Sequence, residues 1–407
     1  MNNYKASQMN RRAFLGRTLG AVGSASLLAP AASAGSLRMF GGPRLNDNRT
    51  LVVVQLSGGN DGLSTIVPYG DDQYHLARKS SLIATGTLHK IDEYRGFHPN
   101  LAKMATRYEE GGIGIVQGVG YPGPTRSHFK AREIWHTANL RGRAAGNGWL
   151  GNLCDQAWPD ELLPELSVHI GQDLPYSLHS DLHAPVVFNT PETYRWLGDD
   201  DAGESLETAA KRSKESVLDR LRGVMTDAKN SSARILDAIR NYETPVEYTG
   251  NKYSQSMKTA AALIESQLGS RVLSVVIGGF DNHAAQKGPH GDALKALDYA
   301  LDSFLADVQR SEAGRNTMVL VFSEFGRRVK ENGSGGTDHG KAGLMFLAGG
   351  PVKGGLYGKY PSLKDLDDKD LRYNVDFRGV YATAINWIGG DAERVIGANY
   401  YPLPYLA

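Results

Sequence analysis

Four runs of apolar residues end abruptly in glycine and polar residues, a pattern typical of buried parallel strands that lead into loops. They are LVVVQL at 51–56, GIGIVQGV at 112–119, VLSVVIGGF at 272–280 and TMVLVF at 317–322. In open α/β sheets, ligands bind beyond the carboxyl ends of the strands. The polar residues that follow these runs are therefore the first candidates for a functional site.

Helical patterns lie between the runs, over 98–111, 127–140 and 291–311. In the last of these, apolar residues recur at helical spacing and are expected to face the sheet: Leu294, Leu297, Leu301, Phe304, Leu305 and Val308. Strands that alternate with helices predict an α/β fold with a mostly parallel central sheet.

The segment from about 200 to 270 carries long charged stretches and reads as two or three amphipathic helices inserted before the third strand. The position of these helices has two interpretations. The helices form a cap over the strand ends, or they form a peripheral scaffold.

The first 34 residues are expected to be an export signal. Arg11 and Arg12 precede a mildly apolar core that is too short to span a bilayer, and Ala32-Ser33-Ala34 resembles a cleavage site. The paired arginines resemble a twin-arginine signal, which implies export of the folded chain by the Tat translocase to the periplasm. Residues 35–407 are then expected to form a single domain.

Composition narrows the possible partners and covalent cross-links. The net charge of +1 gives no argument for nucleic acid or for an anionic membrane surface. The single cysteine, Cys154, excludes an intramolecular disulfide within this chain. Folding in the reducing cytoplasm before export would explain this.

Carboxylates and imidazoles follow three of the four apolar runs and recur in a glycine-rich loop at 331–343. If the strands are adjacent and parallel, these side chains converge on one edge of the sheet and can hold a divalent metal ion such as Zn²⁺, Mn²⁺ or Ca²⁺. The candidate ligands are Asp61, Asp281, His283, Glu324, Asp338 and His339.

Structural alternatives accompany several of these residues. Asp61 can be a turn aspartate between glycines, and Asp281 can cap a turn beside a solvated His283. Glu324 can belong to a helix that starts with Ser323 as its N-cap.

The loop PTRSHF, which follows the second run, supplies candidates for catalysis. Ser127 or Thr125 stands where a helix begins, and each can be a nucleophile or simply an N-cap. Arg126 can bind the substrate anion in a bidentate manner. His128 is a lower-ranked candidate, because an isolated histidine is more often structural.

The motifs GGNDGL, FHPNLA, PTRSHF, GWLG, GGFDNH, SEFGRR, GSGGTDHG and GGLYGKYPSL occur here in the order seen in the DUF1501 family of exported bacterial proteins. The sequence resembles that family over essentially the whole chain after the signal. The family is grouped with the alkaline phosphatase and sulfatase superfamily. The resemblance implies a three-layer α/β sandwich in which metal ions activate a Ser, Thr or formylglycine nucleophile against phosphate or sulfate esters.

Residue by residue, the resemblance implies that Asp61 is the first-strand metal ligand and His339 the final histidine ligand, with Asp338 beside it as a ligand or an orienting carboxylate. Phe325 stands where the superfamily has a histidine, which removes one ligand, so the resemblance implies a site for one or two ions. The expected function is an exported, metal-dependent hydrolase of small anionic esters. The alternative is a non-catalytic periplasmic binding or scaffold protein with the same fold.

Overall fold

The computed structural model describes residues 48–159, 163–193, 230–397, 400 and 402–404. The expected signal at 1–34 and the part of the expected insertion from about 200 to 229 lie outside these residues. All the described residues belong to one compact unit. Within this part of the chain, no helix has the length and apolar character needed to cross a membrane.

Fourteen strands are present in the described chain. They are β1 Thr50–Leu56, β2 Ile66–Val67, β3 His89–Lys90, β4 Gly96–Phe97, β5 Ile113–Gly120, β6 Ser167–Ile170, β7 Val186–Phe188, β8 Val272–Ile277, β9 Thr317–Phe322, β10 Gly343–Gly349, β11 Gly355–Tyr357, β12 Leu366–Asp367, β13 Asp370–Leu371 and β14 Val375–Asp376.

Nine of the strands form the central sheet, in the order β11-β5-β10-β9-β1-β8-β6-β7, with β14 beside β5. Strand β10 runs antiparallel to both of its neighbours, and every other pair in this sheet is parallel. In the middle of the sheet, Val54 lies opposite Val275 on one side and Val321 on the other. The prediction of a mostly parallel sheet is confirmed.

Ten α-helices with defined ends surround the sheets in the described residues. They are α1 Gly62–Thr65, α2 Asp72–Ala77, α3 Ala102–Glu109, α4 His128–Thr137, α5 Trp149–Ala157, α6 Lys252–Glu265, α7 Lys287–Val308, α8 Glu312–Arg315, α9 Phe377–Ile388 and α10 Ala392–Ile396. A further helical segment covers 230–240. Short 3₁₀ helices cover Thr85–Thr87, Gly142–Ala145, Pro164–Leu166, Tyr176–Leu178 and Pro191–Thr193.

Two hydrophobic cores cover the two faces of the sheet. Because side chains alternate along a strand, Val52 and Val54 enter one core, whereas Leu51 and Val53 enter the other. Helices α3, α6 and α7 pack on the first face, and α4, α5, α9 and α10 pack on the second. The result is the three-layer α/β arrangement, and the buried apolar positions of α7 are those that the helical pattern predicted.

Residues 230–270, the described part of the segment at about 200–270, include helix α6, and the cap expected from the whole segment stays a prediction. Helix α6 contributes Met257, Ala260 and Leu263 to the first core and packs against α7 and β8. This helix therefore belongs to an outer layer of the sandwich.

Candidate metal centre

Loops from the carboxyl ends of β5 and β8 meet the glycine-rich loop at 331–343. Together they bring three imidazoles around one carboxylate: His128 at the first residue of α4, Asp281 and His283 after β8, and His339 before β10. We call these four residues the imidazole–carboxylate group.

Each imidazole places its Nε2 atom towards Asp281. His283 Nε2 lies 2.9 Å from Asp281 Oδ1, and His339 Nε2 lies 3.1 Å from the same oxygen. His128 Nε2 lies 3.3 Å from the other oxygen, Oδ2. The Nε2 atoms of His283 and His339 are themselves 2.9 Å apart. Four potential ligand atoms thus crowd into one small volume.

The opposite ring nitrogen of each histidine faces an oxygen. His128 Nδ1 donates to Glu324 Oε1 at 3.0 Å, and His339 Nδ1 donates to the Arg126 carbonyl at 2.8 Å. His283 Nδ1 lies 3.5 Å from Asp338 Oδ1. These oxygens can only accept, so the contacts of His128 and His339 favour the tautomer that carries the proton on Nδ1 and leaves a lone pair on Nε2.

The electrostatics keep the central carboxylate ionised. Burial by itself would raise the pKa of Asp281, but the hydrogen bond from Arg327, with a smaller contribution from His339, lowers it to about 2. Glu324 behaves in the same way: its burial raises the pKa, and its bond to His128 more than offsets this and holds the pKa below the usual value. Burial lowers the pKa of His339, which favours its neutral, ligand-competent form.

These residues fit a divalent metal ion. His128 Nε2 is a buried polar atom without a hydrogen-bond partner among the described residues, although it faces a carboxylate. Lone pairs and a carboxylate that face one another repel unless a proton or a cation lies between them. Ligand atoms around tetrahedral Zn²⁺ at its usual bond lengths are about 3.3 Å apart, close to the separations found here. One ligand atom from each of His128, Asp281 and His339 lies within 4.8 Å of the others.

Glycines let the loops approach one another closely. Gly58 has φ of +123°, and a Cβ atom there would lie 2.4 Å from the backbone nitrogen of Asp281. A Cβ atom at Gly336 would lie 2.2 Å from the carbonyl carbon of His283. Isolated bridges at Ala284–Gly335 and Arg327–His339 hold the glycine-rich loop in register. The glycines at 331–343 therefore belong to a loop that packs closely against the residues around His283 and Arg327.

Phe325, which replaces the histidine expected from the superfamily, forms an apolar floor under the group. It is buried, and its ring centroid lies 4.8 Å from that of His128 and 4.5 Å from that of His339. Its ring also occupies the space where a side chain at Gly59 would begin. Phe325 supplies no ligand, but it restricts the two imidazole planes.

Glu324 and Asp338, two of the candidate ligands, each lie behind a histidine of the group. Glu324 is fully buried, and its Oε1 accepts from both His128 Nδ1 and the Gly58 amide. No helix starts at Ser323, whose hydroxyl donates to the Leu56 carbonyl. Asp338 accepts from Asn332 Nδ2 at 3.1 Å beside His283. Carboxylates in such positions orient imidazole ligands and raise their basicity.

Asp61, predicted as a ligand, has a different set of partners. Its carboxylate receives two hydrogen bonds from Arg78, one from Gln286 and one from Ser64, and it caps α1 through the amide of Leu63. It is buried, and its pKa, which burial alone would raise, is held well below the usual value by Arg78. Donors of the protein therefore occupy its lone pairs, and its role as a metal ligand stays a prediction.

The PTRSHF loop borders the group. The carbonyl of Arg126 accepts from His339, and the ring of His128 lies inside the group, so Ser127 stands between two contacting residues. The Ser127 side chain is exposed and does not cap α4, whereas Thr125 Oγ1 accepts from the Ser127 amide at 3.2 Å. Ser127 therefore occupies the N-cap position of α4 but makes no side-chain capping bond.

Arg126 points its guanidinium away to the β12–β13 hairpin, where it forms ion pairs with Asp368 and Asp370. The predicted anion clamp is thus already engaged by two carboxylates of the protein. The Asp370 side chain is fully buried, whereas that of Asp368 is 64% exposed. Solvent therefore reaches the ion pair with Asp368.

Sequence reasoning underrated His128 and missed Arg327. His128 looked isolated because its partner is far away in the sequence: Glu324, 196 positions further along the chain, binds its Nδ1. Arg327 is buried and binds Asp281 Oδ1 at 2.6 Å. The only signal for Arg327 was its place in the motif SEFGRR, which says nothing about a partner.

The fold and the site define an α/β protein with a candidate metal centre at the carboxyl edge of a mostly parallel sheet. A family model described as "Protein of unknown function (DUF1501)" matches residues 112–400. The chain therefore belongs to the DUF1501 family, which confirms the resemblance stated from its motifs. No curated protein matches the chain in sequence.

Solved structures with a distantly similar fold come from the alkaline phosphatase superfamily and from sulfatases. A superfamily protein from Vibrio parahaemolyticus has 10% identity and a TM-score of 0.41, with 87% of this chain and 70% of that chain covered. A sulfatase from Pseudoalteromonas sp. has 11% identity and a TM-score of 0.40, with coverage of 87% and 73%. A putative sulfatase from Bacteroides thetaiotaomicron has 10% identity and a TM-score of 0.39, with coverage of 88% and 77%. Similarity at this level does not specify an activity.

Proposed function

We propose that the imidazole–carboxylate group binds one divalent transition-metal ion and that the protein hydrolyses small phosphate or sulfate esters. The observation that carries the proposal is the common orientation of the three imidazoles. Each turns Nε2 towards Asp281 and has an oxygen near its Nδ1. Structural histidines have no reason to share this orientation, whereas metal ligands do.

The donor set favours Zn²⁺ or Mn²⁺ over Ca²⁺. Imidazole nitrogen suits transition metals, whereas Ca²⁺ takes six to eight oxygen ligands, and the group offers the oxygens of one carboxylate. His128, His283 and His339 would hold the ion with Asp281, while Glu324 and Asp338 would hold two of the rings in place.

Ser127 is the preferred nucleophile, and Thr125 is its rival. The Ser127 hydroxyl is exposed at the N-terminus of α4, where the helix dipole favours an anion. Thr125 Oγ1 is already used as an acceptor by the Ser127 amide. A bound divalent ion lowers the pKa of a nearby hydroxyl and withdraws charge from an ester oxygen. The protein's own contribution is to hold this hydroxyl beside the group.

The test is turnover of aryl phosphate and aryl sulfate by zinc- or manganese-loaded protein. We expect Ser127→Ala to lose activity by at least a hundredfold and Thr125→Ala to lose less. Ser256→Ala, which removes a hydroxyl on α6 that bonds the Lys252 carbonyl, is the matched control. Full activity in the Ser127→Ala/Thr125→Ala double variant would exclude both hydroxyls as the nucleophile.

A non-catalytic binding protein is the second candidate, and one observation favours it. Three imidazoles and a carboxylate can occupy all four coordination positions of a tetrahedral ion. Sites without an open position are usually structural. His283 decides between the two, because its side chain is 44% exposed and can give way to a substrate. Tight zinc binding without turnover of either ester would support the binding protein.

We also propose that the protein works in the periplasm after export by the Tat translocase. The support is the paired Arg11 and Arg12 before a short apolar run. Replacement of both arginines by lysine should retain the protein in the cytoplasm, and fractionation of cells measures this. Unchanged export would contradict a twin-arginine route.

A further inference from the structure

The buried Arg327 makes contacts that join three separate loops to the imidazole–carboxylate group. Its Nε donates to the Gly59 carbonyl at 2.7 Å, and its Nη1 donates to the Thr337 carbonyl at 2.6 Å. Its Nη2 donates to the carbonyls of Gly58 and Phe280 and to Asp281 Oδ1. A single guanidinium thus donates hydrogen bonds to the loop after β1, to the loop after β8 and to the glycine-rich loop.

The contact with Asp281 has a direct consequence for the group. Arg327 Nη2 lies 2.6 Å from Oδ1, whereas Oδ2 faces His128 Nε2. A guanidinium offers five N–H donors in a rigid plane, and the backbone carbonyls bound to Arg327 hold that plane in place. Arg327 therefore presents Nη2 to Oδ1 from a fixed direction and limits how the Asp281 carboxylate can turn.

We infer that Arg327 is a positioning residue for the ion: it holds Asp281 at the orientation in which its carboxylate completes the ring of imidazoles. The inference rests on the proposed metal site, and it goes beyond it by assigning the preorganisation of the site to one residue that is not a ligand. Ligating carboxylates are commonly held by such outer partners, and their loss typically lowers metal affinity 10- to 100-fold.

Two opposing effects follow from the charge of Arg327. A cation beside the group repels a divalent ion, whereas the fixed carboxylate attracts and orients it. Lysine keeps the charge but has three donors around a tetrahedral nitrogen, so Arg327→Lys loses the geometry and retains the repulsion. Arg327→Met loses both the donor geometry and the positive charge. If positioning dominates, both variants bind zinc more weakly than the unaltered protein.

Arg78 offers a matched control. It is also buried, pairs with a buried carboxylate, and donates to the backbone carbonyls of Arg328 and Val329. It has no contact with the imidazole–carboxylate group among the contacts of the described residues. Arg78→Lys therefore reports what a comparable loss of stability alone does to zinc binding.

The experiment measures zinc affinity by calorimetry for the full chain and for Arg327→Lys, Arg327→Met and Arg78→Lys. We expect a tenfold or larger rise in Kd for both Arg327 variants and a change of less than threefold for Arg78→Lys. Tighter binding by Arg327→Met, or an equal loss in Arg78→Lys, would overturn the inference. If the unaltered protein binds no ion, the proposed function itself fails, and the inference fails with it.

Loss of a buried arginine can prevent folding, so a second measurement uses the unaltered chain. Hydrogen exchange with and without zinc should show slower exchange at 58–60 and 280–281 together, because Arg327 connects these segments. Protection at 280–281 without protection at 58–60 would show that the loops respond independently and would overturn the positioning role.

Discussion

Glu324 accepts a hydrogen bond from His128 Nδ1 at 3.0 Å while its side chain is completely buried at the carboxyl end of β9. The same oxygen accepts from the amide of Gly58 at 3.0 Å, so the carboxylate is held from two sides. This pair determines which nitrogen of His128 is available to an ion. It also explains why Glu324, whose carboxylate could bind a metal ion, contacts the outer nitrogen of His128 instead.

Substitution of Glu324 by glutamine should weaken zinc binding by roughly 10- to 100-fold, because the charge that makes His128 a better ligand is removed while the shape is kept. Calorimetric titration with zinc measures the change. Glu331→Gln is the matched control, since Glu331 accepts from the amides of Ser80 and Ser81. Equal affinities of Glu324→Gln and the unaltered protein would exclude an orienting role.

Asp61→Asn should destabilise the fold without weakening zinc binding. Asp61 neutralises Arg78, whose side chain is fully buried, and removal of one partner of such a pair costs about 3–5 kcal/mol of unfolding free energy. Because Arg78 lowers the pKa of Asp61 below its ordinary value of 3.8, the stabilisation is present above that pH and is lost as the pH falls further. Urea denaturation at neutral and acidic pH measures it. A loss of zinc affinity with unchanged stability would restore Asp61 as a ligand.

Asp298 should make the protein less stable as the pH rises. Burial raises its pKa from the ordinary 3.8 to about 6, although the amides of Met104 and Lys103 partly oppose this. An acid with a raised pKa favours the folded state when protonated, so its contribution is complete below pH 3.8 and is lost as the pH rises through about 6. The full change is roughly 3 kcal/mol.

Asp298→Asn should remove this dependence, which urea denaturation between acidic and neutral pH measures. The exposed Asp292→Asn on the same helix serves as the control. An unchanged slope of unfolding free energy against pH in Asp298→Asn would show that another group is responsible.

Asp368→Asn should lower the KM for an anionic ester severalfold, if the proposed hydrolysis occurs. Asp368 pairs with Arg126 at 2.8 Å, and its removal leaves the guanidinium more available to a substrate anion. Asp365→Asn removes the same charge from a residue that pairs with Arg372 instead. Steady-state kinetics at low salt compares the two. Equal effects would indicate a general response to net charge rather than release of Arg126.

The local pattern of the chain was enough to place four of the nine strands of the central sheet, β1, β5, β8 and β9. Strand β9 begins and ends where TMVLVF predicts it, and α7 buries the predicted apolar positions. Both follow from side-chain periodicity within a single segment. The other five strands of that sheet were missed; β10, for example, pairs with β5 and β9, and these distant partners select its conformation.

What the sequence by itself determined about this protein is the kind of chemistry and its location: imidazoles and carboxylates that follow parallel strands, with glycines that let the loops meet. The tertiary structure alone decided which of these groups face a common point. Asp61 and Asp281 look alike in the chain, yet Arg78 occupies the first, whereas three histidines surround the second. Such partners are distant in sequence, as His128 and Glu324 are, and only the packed sheet brings them within hydrogen-bonding distance.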